Sequence, residues 1–119
     1  MNNGFILPAI AGGAVTGRLI VKKDGQGRVV PAGAGTDQVV GVSDIHAQCV
    51  AGDRISIHAT AGLAEVIASA AIPFGARVSA SAGGKAKVAA AGDHVIGIAW
   101  TDAEADGDYF KVLLAPHKL

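Results

Sequence analysis

One pattern occurs twice in this chain, and it limits the fold more than any other feature. Residues 17–44 read GRLIVKKDGQGRVVPAGAGTDQVVGVSD and residues 75–102 read GARVSASAGGKAKVAAAGDHVIGIAWTD. Each copy runs from a short apolar stretch through a glycine turn to a second short stretch. An Ala/Gly loop follows, then Asp-x-Val-(Val/Ile)-Gly-(Val/Ile), so that Asp37, Val39, Val40 and Gly41 match Asp93, Val95, Ile96 and Gly97. Each continues through a Gly-Asp step into a further stretch, Gly52-Asp53-Arg54-Ile55-Ser56-Ile57 and Gly107-Asp108-Tyr109-Phe110-Lys111-Val112. Two copies are too few for a solenoid. They suit a pseudo-symmetric unit in which each half buries the other's apolar face, with halves at 17–60 and 75–115 of one domain spanning 17–115.

The stretches themselves are short, rich in Val and Ile, and separated by Gly, Asp and Pro, which is the pattern of strands. Arg54, Ser56 and His58 alternate with Ile55 and Ile57, one face outward and one inward. Asp24-Gly25-Gln26-Gly27 and Ala82-Gly83-Gly84-Lys85 read as hairpin turns, where glycine supplies positive φ. Gly41 and Gly97 lie inside strand patterns, which predicts a bulge or a close backbone approach. Residues 59–71 are ambiguous: Leu63, Val66, Ile67 and Ala70 fit a helical face, but Gly62 and Pro73 bound the segment, and a strand over 63–67 is the reading adopted. The expectation is an all-β fold, a small barrel or sandwich with an internal pseudo-repeat and at most one short helix.

Composition then bounds the function. Half of the 119 residues are hydrophobic, but only 4% are aromatic, and the apolar share is mostly Ala, Val and Ile. Such a core is thin, which favours stabilisation by self-association or a larger assembly. Ten basic and ten acidic residues cancel and are scattered, so no counterion-release term drives nucleic-acid binding. Lys22-Lys23 reads as a solvated strand end. No apolar stretch approaches the ~20 residues of a membrane helix, and the first dozen residues lack a signal-peptide pattern. With Cys49 alone there is no intrachain disulfide, and synthesis in the cytoplasm is expected.

A search for chemistry yields no site. His46, His58, His94 and His117 form no metal-binding pair at helical spacing, and His46 with Cys49 makes at most half a metal site. No serine lies in a Gly-x-Ser-x-Gly elbow. Asp102, Glu104, Asp106 and Asp108 crowd one stretch but lack the internal glycine and closing glutamate of a calcium loop. The segments at 12–17 and 33–36 are glycine-rich without the Lys-Ser/Thr of a phosphate loop. The reading is therefore no enzyme, no cofactor and no metal.

Surface and assembly remain. Residues 1–16 are apolar through Phe5, Ile6, Leu7 and Ile10, yet broken by Pro8 and glycines. They are expected to form an extended N-terminal arm that docks on a neighbouring subunit, since four large apolar residues are costly to leave wet. Trp100 is either a further interface anchor or the main core filler. Residues 116–119 read as a short tail.

The order of these pieces carries a family likeness. Gly52-Asp53-Arg54-Ile55-Ser56-Ile57, Gly62-Leu63-Ala64-Glu65-Val66, Gly75-Ala76-Arg77-Val78, Gly83-Gly84-Lys85-Ala86-Lys87-Val88, His94-Val95-Ile96-Gly97-Ile98-Ala99 and Phe110-Lys111-Val112-Leu113-Leu114 resemble, over residues 17–114, the capsid cement or head-decoration proteins of tailed bacteriophages. The resemblance implies a structural virion protein that binds the outer capsid surface, bridges major capsid proteins and forms a homotrimer or a dimer. It brings no catalytic residues. Phe5, Ile6, Leu7, Ile10 and Trp100 are the interface candidates, and Phe5→Ala with Leu7→Ala is expected to weaken attachment without loss of fold. A β-rich tail or surface-adhesion module is the alternative, which the five aromatic residues disfavour.

Overall fold

Short, mostly β-branched segments joined by glycine turns give twelve strands among the described residues. A computed structural model describes residues 5–60 and 62–118. The strands are β1 (Phe5–Ile10), β2 (Val15–Thr16), β3 (Ile20–Lys23), β4 (Val29–Pro31), β5 (Val39–Ser43), β6 (Gln48–Cys49), β7 (Arg54–Thr60), β8 (Leu63–Ile67), β9 (Arg77–Ala80), β10 (Ala86–Val88), β11 (His94–Ala99) and β12 (Tyr109–Lys118). The one helical element among the described residues is a single 3-10 turn, Ala82–Gly84, where a glycine turn is expected. The ambiguous segment is strand β8, as read. The fold is all-β.

The repeat is structural. Two five-stranded sheets have the orders β1-β7-β5-β3-β4 and β8-β12-β11-β9-β10, and β2 pairs with β6 in a third, two-stranded sheet. Position for position, the two larger sheets are the same arrangement. In each, a bridge joins the two edge strands: Ala11 with Val29 and Ala68 with Ala86. Gly12 N–H donates to Val29 O and Ser69 N–H to Ala86 O, both at 2.8 Å. Each repeat is thereby curled into its own small five-stranded barrel, pinched shut at one end. The repeat thus goes further than two halves sharing one barrel.

Matching hydrogen bonds fix the correspondence. Ala11 N–H donates to Asp53 O and Ala68 N–H to Asp108 O; Gly52 N–H donates to Ala11 O and Gly107 N–H to Ala68 O, all at 2.8 Å. Inside the first barrel lie Ala11, Val15, Val21, Val29, Ile55 and Ile57. The matching positions of the second, Ala68, Ile72, Val78, Ala86, Phe110 and Val112, belong to the larger cluster. That cluster also takes in Ile20, Ala32 and Val42 of the first sheet. Alternation along β3 explains this: Val21 points into its own barrel, while Ile20 points out and is buried against the second.

Two glycines hold strands close at matched points. A Cβ at Gly41 would collide with the His58 carbonyl and lie 2.6 Å from Ile57 Cγ2. One at Gly97 would collide with the Leu113 carbonyl and lie 2.8 Å from Val112 Cγ1. The close approach expected from the sequence is therefore present in both barrels.

The chain ends are tied into these sheets. Where an arm reaching a neighbouring subunit is expected over 1–16, β1 instead pairs antiparallel with β7 of its own chain, Leu7 opposite Ile57 and Ala9 opposite Ile55. Pro8 argues against a central strand, but β1 is an edge strand, where a residue lacking N–H is tolerated. Likewise the expected tail continues β12, His117 opposite Val95 and Lys118 opposite His94. The side-chain placements of Phe5, Ile6 and Leu7 lie outside the described part.

Candidate functional site

Phe110, 2% exposed, is the largest side chain in the core. It stands where the first barrel has Ile55 and takes the core-filling role that was one of the two readings of Trp100, because β12 alternates with Phe110, Val112 and Leu114 inward. Trp100 is half exposed and is not a core residue. It follows β11, its N–H donating to Lys111 O at 2.7 Å. Across from it, Phe74 is 64% exposed. The rings meet edge to face, centroids 6.1 Å apart and planes at 70°.

Backbone ties hold this pair in place. Ile72 and Ala103 exchange N–H to carbonyl bonds, both 2.9 Å. Phe74 N–H donates to the Asp102 carboxylate at 2.6 Å. The loops carrying the rings are thus stitched together, and the pair stands pre-organised on the surface. The sequence reading named Trp100 but missed Phe74. Pro73 directly before it, which fixes φ and starts a turn, was the available signal.

A second feature lies where the barrels meet. A groove of about 480 Å³ is lined by Ser43, Asp44 and His58 of the first barrel and Leu63, Glu65 and Lys111 of the second. The His58 ring contacts Asp44 Oδ1 through Nε2 at 3.1 Å, while its buried Nδ1 has no partner. Burial acts to raise the Asp44 carboxyl, but the His46 N–H and the His58 ring outweigh it and hold the group below its ordinary value. The register that sets Val42 opposite His58 brings the two together. Ser43 is engaged elsewhere: its hydroxyl donates to Thr16 O at 2.7 Å and accepts from Leu19 N–H at 3.1 Å. The sequence analysis did not single out Asp44 with His58, because the pairing depends on strand register.

The paired aspartates of the repeat are structural. Asp37 accepts from Gly33 and Ala34 N–H and pairs with Lys22 at 3.2 Å. Asp93 accepts from Ala90 N–H and the Ser79 hydroxyl and pairs with Lys87 at 3.2 Å. In both, backbone N–H donation is the largest influence and, with the lysine, pulls the carboxyl below its usual value against the effect of burial. Cys49 points its thiol at Arg54 O, 3.4 Å away. Among the described residues no group of three or more His, Cys, Asp or Glu side chains is placed to hold a metal ion. Of the remaining interface candidates, Ile10 is 38% exposed at the end of β1.

The geometry on this side of the molecule is thus an exposed ring pair on a duplicated β scaffold. Residues 23–114 match the model of the phage cement proteins. The chain belongs to the phage cement protein family. This phage cement protein is a capsid-associated structural component of the virion. Its fold is similar to that in the crystal structure of the head fiber gp8.5 N base in bacteriophage phi29, with a TM-score of 0.73, 20% identity and 97% of each chain covered. No curated protein matches it.

Proposed function

We propose that this cement protein binds the outer surface of the assembled capsid and holds neighbouring major capsid proteins together, with its own copies associated as a homotrimer. The observation that carries this reading is the Phe74–Trp100 pair. Two rings, 64% and 50% exposed and braced by backbone hydrogen bonds, cost free energy in water and repay it only when covered. Interface energy concentrates in a few such anchors, Trp prominent among them. A modest contact repeated at many equivalent positions of a shell gives large total stabilisation. Ile10, 38% exposed at the end of β1, adds an apolar contact from the edge of the first barrel. The role is structural, and the net charge of zero suits a partner that is protein rather than DNA.

The test is sedimentation of purified protein with undecorated capsids of its own phage. Saturable binding at a stoichiometry matching a symmetry position is expected, and Phe74→Ala with Trp100→Ala should weaken it at least tenfold while the far-ultraviolet circular dichroism stays unchanged. Absence of binding to both unexpanded and expanded shells would overturn the proposal.

A further inference from the structure

Along an antiparallel strand, backbone N–H and C=O groups point alternately toward the neighbouring strand and away from it. β8 ends its sheet, with β12 as its one neighbour there. Leu114 N–H donates to Gly62 O at 3.0 Å and Ala68 N–H to Asp108 O at 2.8 Å, so the even-numbered residues of β8 face β12. Leu63, Glu65 and Ile67 therefore turn their backbone groups to the free edge. Ile67 N–H is taken by Arg18 O at 3.0 Å. Among the described residues, the backbone N–H and C=O of Leu63 and of Glu65 have no partner.

The first barrel has the same edge in a closed form. Ala11 and Ala68 correspond, so Pro8 of β1 stands where β8 has Glu65. Ala11 N–H donates to Asp53 O and Gly52 N–H to Ala11 O, which turns Ala9 toward β7 and leaves Pro8 and Ile10 facing outward. A proline in that place offers no N–H to an incoming strand and so protects the edge. Glu65 keeps its N–H. The duplicated fold thus carries one protected edge and one open edge.

The open edge borders the groove of about 480 Å³ between the barrels, where Leu63 and Glu65 line one side and Asp44 and Ile45 another. Leu63 is 39% and Ile45 40% exposed. Two of the charges there are engaged, Glu65 with Arg18 and Asp44 with His58. Lys111, opposite Glu65 in the register, lines the groove with no ion pair among the described residues. Its carbonyl accepts Trp100 N–H, so the groove adjoins the strand end that carries the ring pair. We propose that β8 takes up an extended segment of the major capsid protein as an added strand, bonded through the backbone of Leu63 and Glu65. The segment sets an apolar side chain against Leu63 and Ile45 and a carboxylate at Lys111. Strand addition draws affinity from main-chain bonds and specificity from alternate side chains. This inference deepens the capsid-binding reading and rests on it.

The experiment is hydrogen–deuterium exchange of the full chain, free and bound to undecorated capsids of its own phage. The amides of Leu63 and Glu65 are expected to exchange fast in the free protein and about tenfold or more slower on the capsid, while Ala64 and Val66, already bonded to β12, change little. Glu65→Pro copies the protected edge of β1. It is expected to weaken capsid sedimentation about tenfold relative to Glu65→Ala, which loses the same side chain but keeps the N–H. Lys111→Glu is expected to weaken it as well. If Glu65→Pro does not fold by circular dichroism, the exchange measurement decides. Capsid binding that leaves Leu63 and Glu65 exchanging fast, or equal binding by the two Glu65 variants, overturns the proposal and leaves the attachment reading standing. Absence of any capsid binding overturns both. Slow exchange of both amides in the free protein also overturns it. The occupant is then residues 1–4 of the same chain if the slowing is independent of concentration, and a second copy if it grows with concentration.

Discussion

Arg18 and Gly75 occupy the same place in the two barrels. Arg18 N–H donates to Ser43 O and Gly75 N–H to Ala99 O, and both backbones are left-handed, with φ of 67° and 87°. Gly75 adopts this conformation without penalty, whereas Arg18, the one non-glycine with positive φ among the described residues, carries about 1 kcal/mol of strain. Its side chain explains its presence: Nε pairs with Glu65 Oε1 at 2.6 Å, and the guanidinium lies 4.3 Å from the Tyr109 ring centroid. Arg18 therefore clamps the first barrel to the second.

Arg18→Ala removes both contacts and keeps the strain, and should cost about 1–2 kcal/mol. Arg18→Gly removes the contacts and the strain together, and should cost about 1 kcal/mol less. Urea denaturation of the two variants checks the order. Equal stabilities would show that the left-handed backbone carries no cost here.

Gly97→Ala should be among the most damaging small substitutions. The added methyl meets the Leu113 carbonyl, which is backbone and cannot rotate away. A loss of about 2–3 kcal/mol is expected, with Gly41→Ala comparable. Gly13, with nothing within 4 Å, is the control, and Gly13→Ala should shift the midpoint little. Thermal unfolding of the three variants decides it.

Acid should weaken the fold through Asp37 and Asp93. Their carboxyls are depressed in the folded state, so the folded protein holds its protons less tightly than the unfolded chain, whose Asp titrates near pH ~3.9. The stabilisation is complete above that value and is lost as pH falls through the folded-state values. Melting temperature should therefore drop below pH ~4. Asp93→Asn should melt lower at neutral pH and show a shallower acid loss.

Phe110 and Trp100 should separate stability from attachment. Phe110→Ala empties the second barrel's centre and should cost about 3–5 kcal/mol. Trp100→Ala exposes little new core and should cost no more than about 1 kcal/mol, while reducing capsid sedimentation. A large stability loss at Trp100 would contradict its placement on the surface.

Much of this architecture was legible because it rests on local chemistry. The Asp24 turn was readable from its glycines, and its carboxylate does accept from Gln26 and Arg28 N–H. Gly41 and Gly97 announced close strands because glycine inside a strand pattern has few other reasons to be there. The closure of each repeat was not legible, since Ala11 meets Val29 and Ala68 meets Ala86 only through sheet curvature. β1 was obscured by Pro8, whose tolerance depends on edge position. At the surface, Trp100 could be named but not placed, and Phe74 drew no notice because its partner lies in a separate loop. Asp44 with His58 was equally hidden, being a product of register between β5 and β7.

The placement of β12 bears on synthesis. Tyr109–Lys118 lies between β8 and β11 in its sheet, not at an edge. On the ribosome, β8 has no neighbour in its ladder until Tyr109–Lys118 has emerged, because β12 is the strand that joins it to β11. Emergence of this strand thus joins β8 to the rest of the second barrel's sheet. A chain stalled before Tyr109 would present open strand edges to chaperones and proteases instead of a finished subunit.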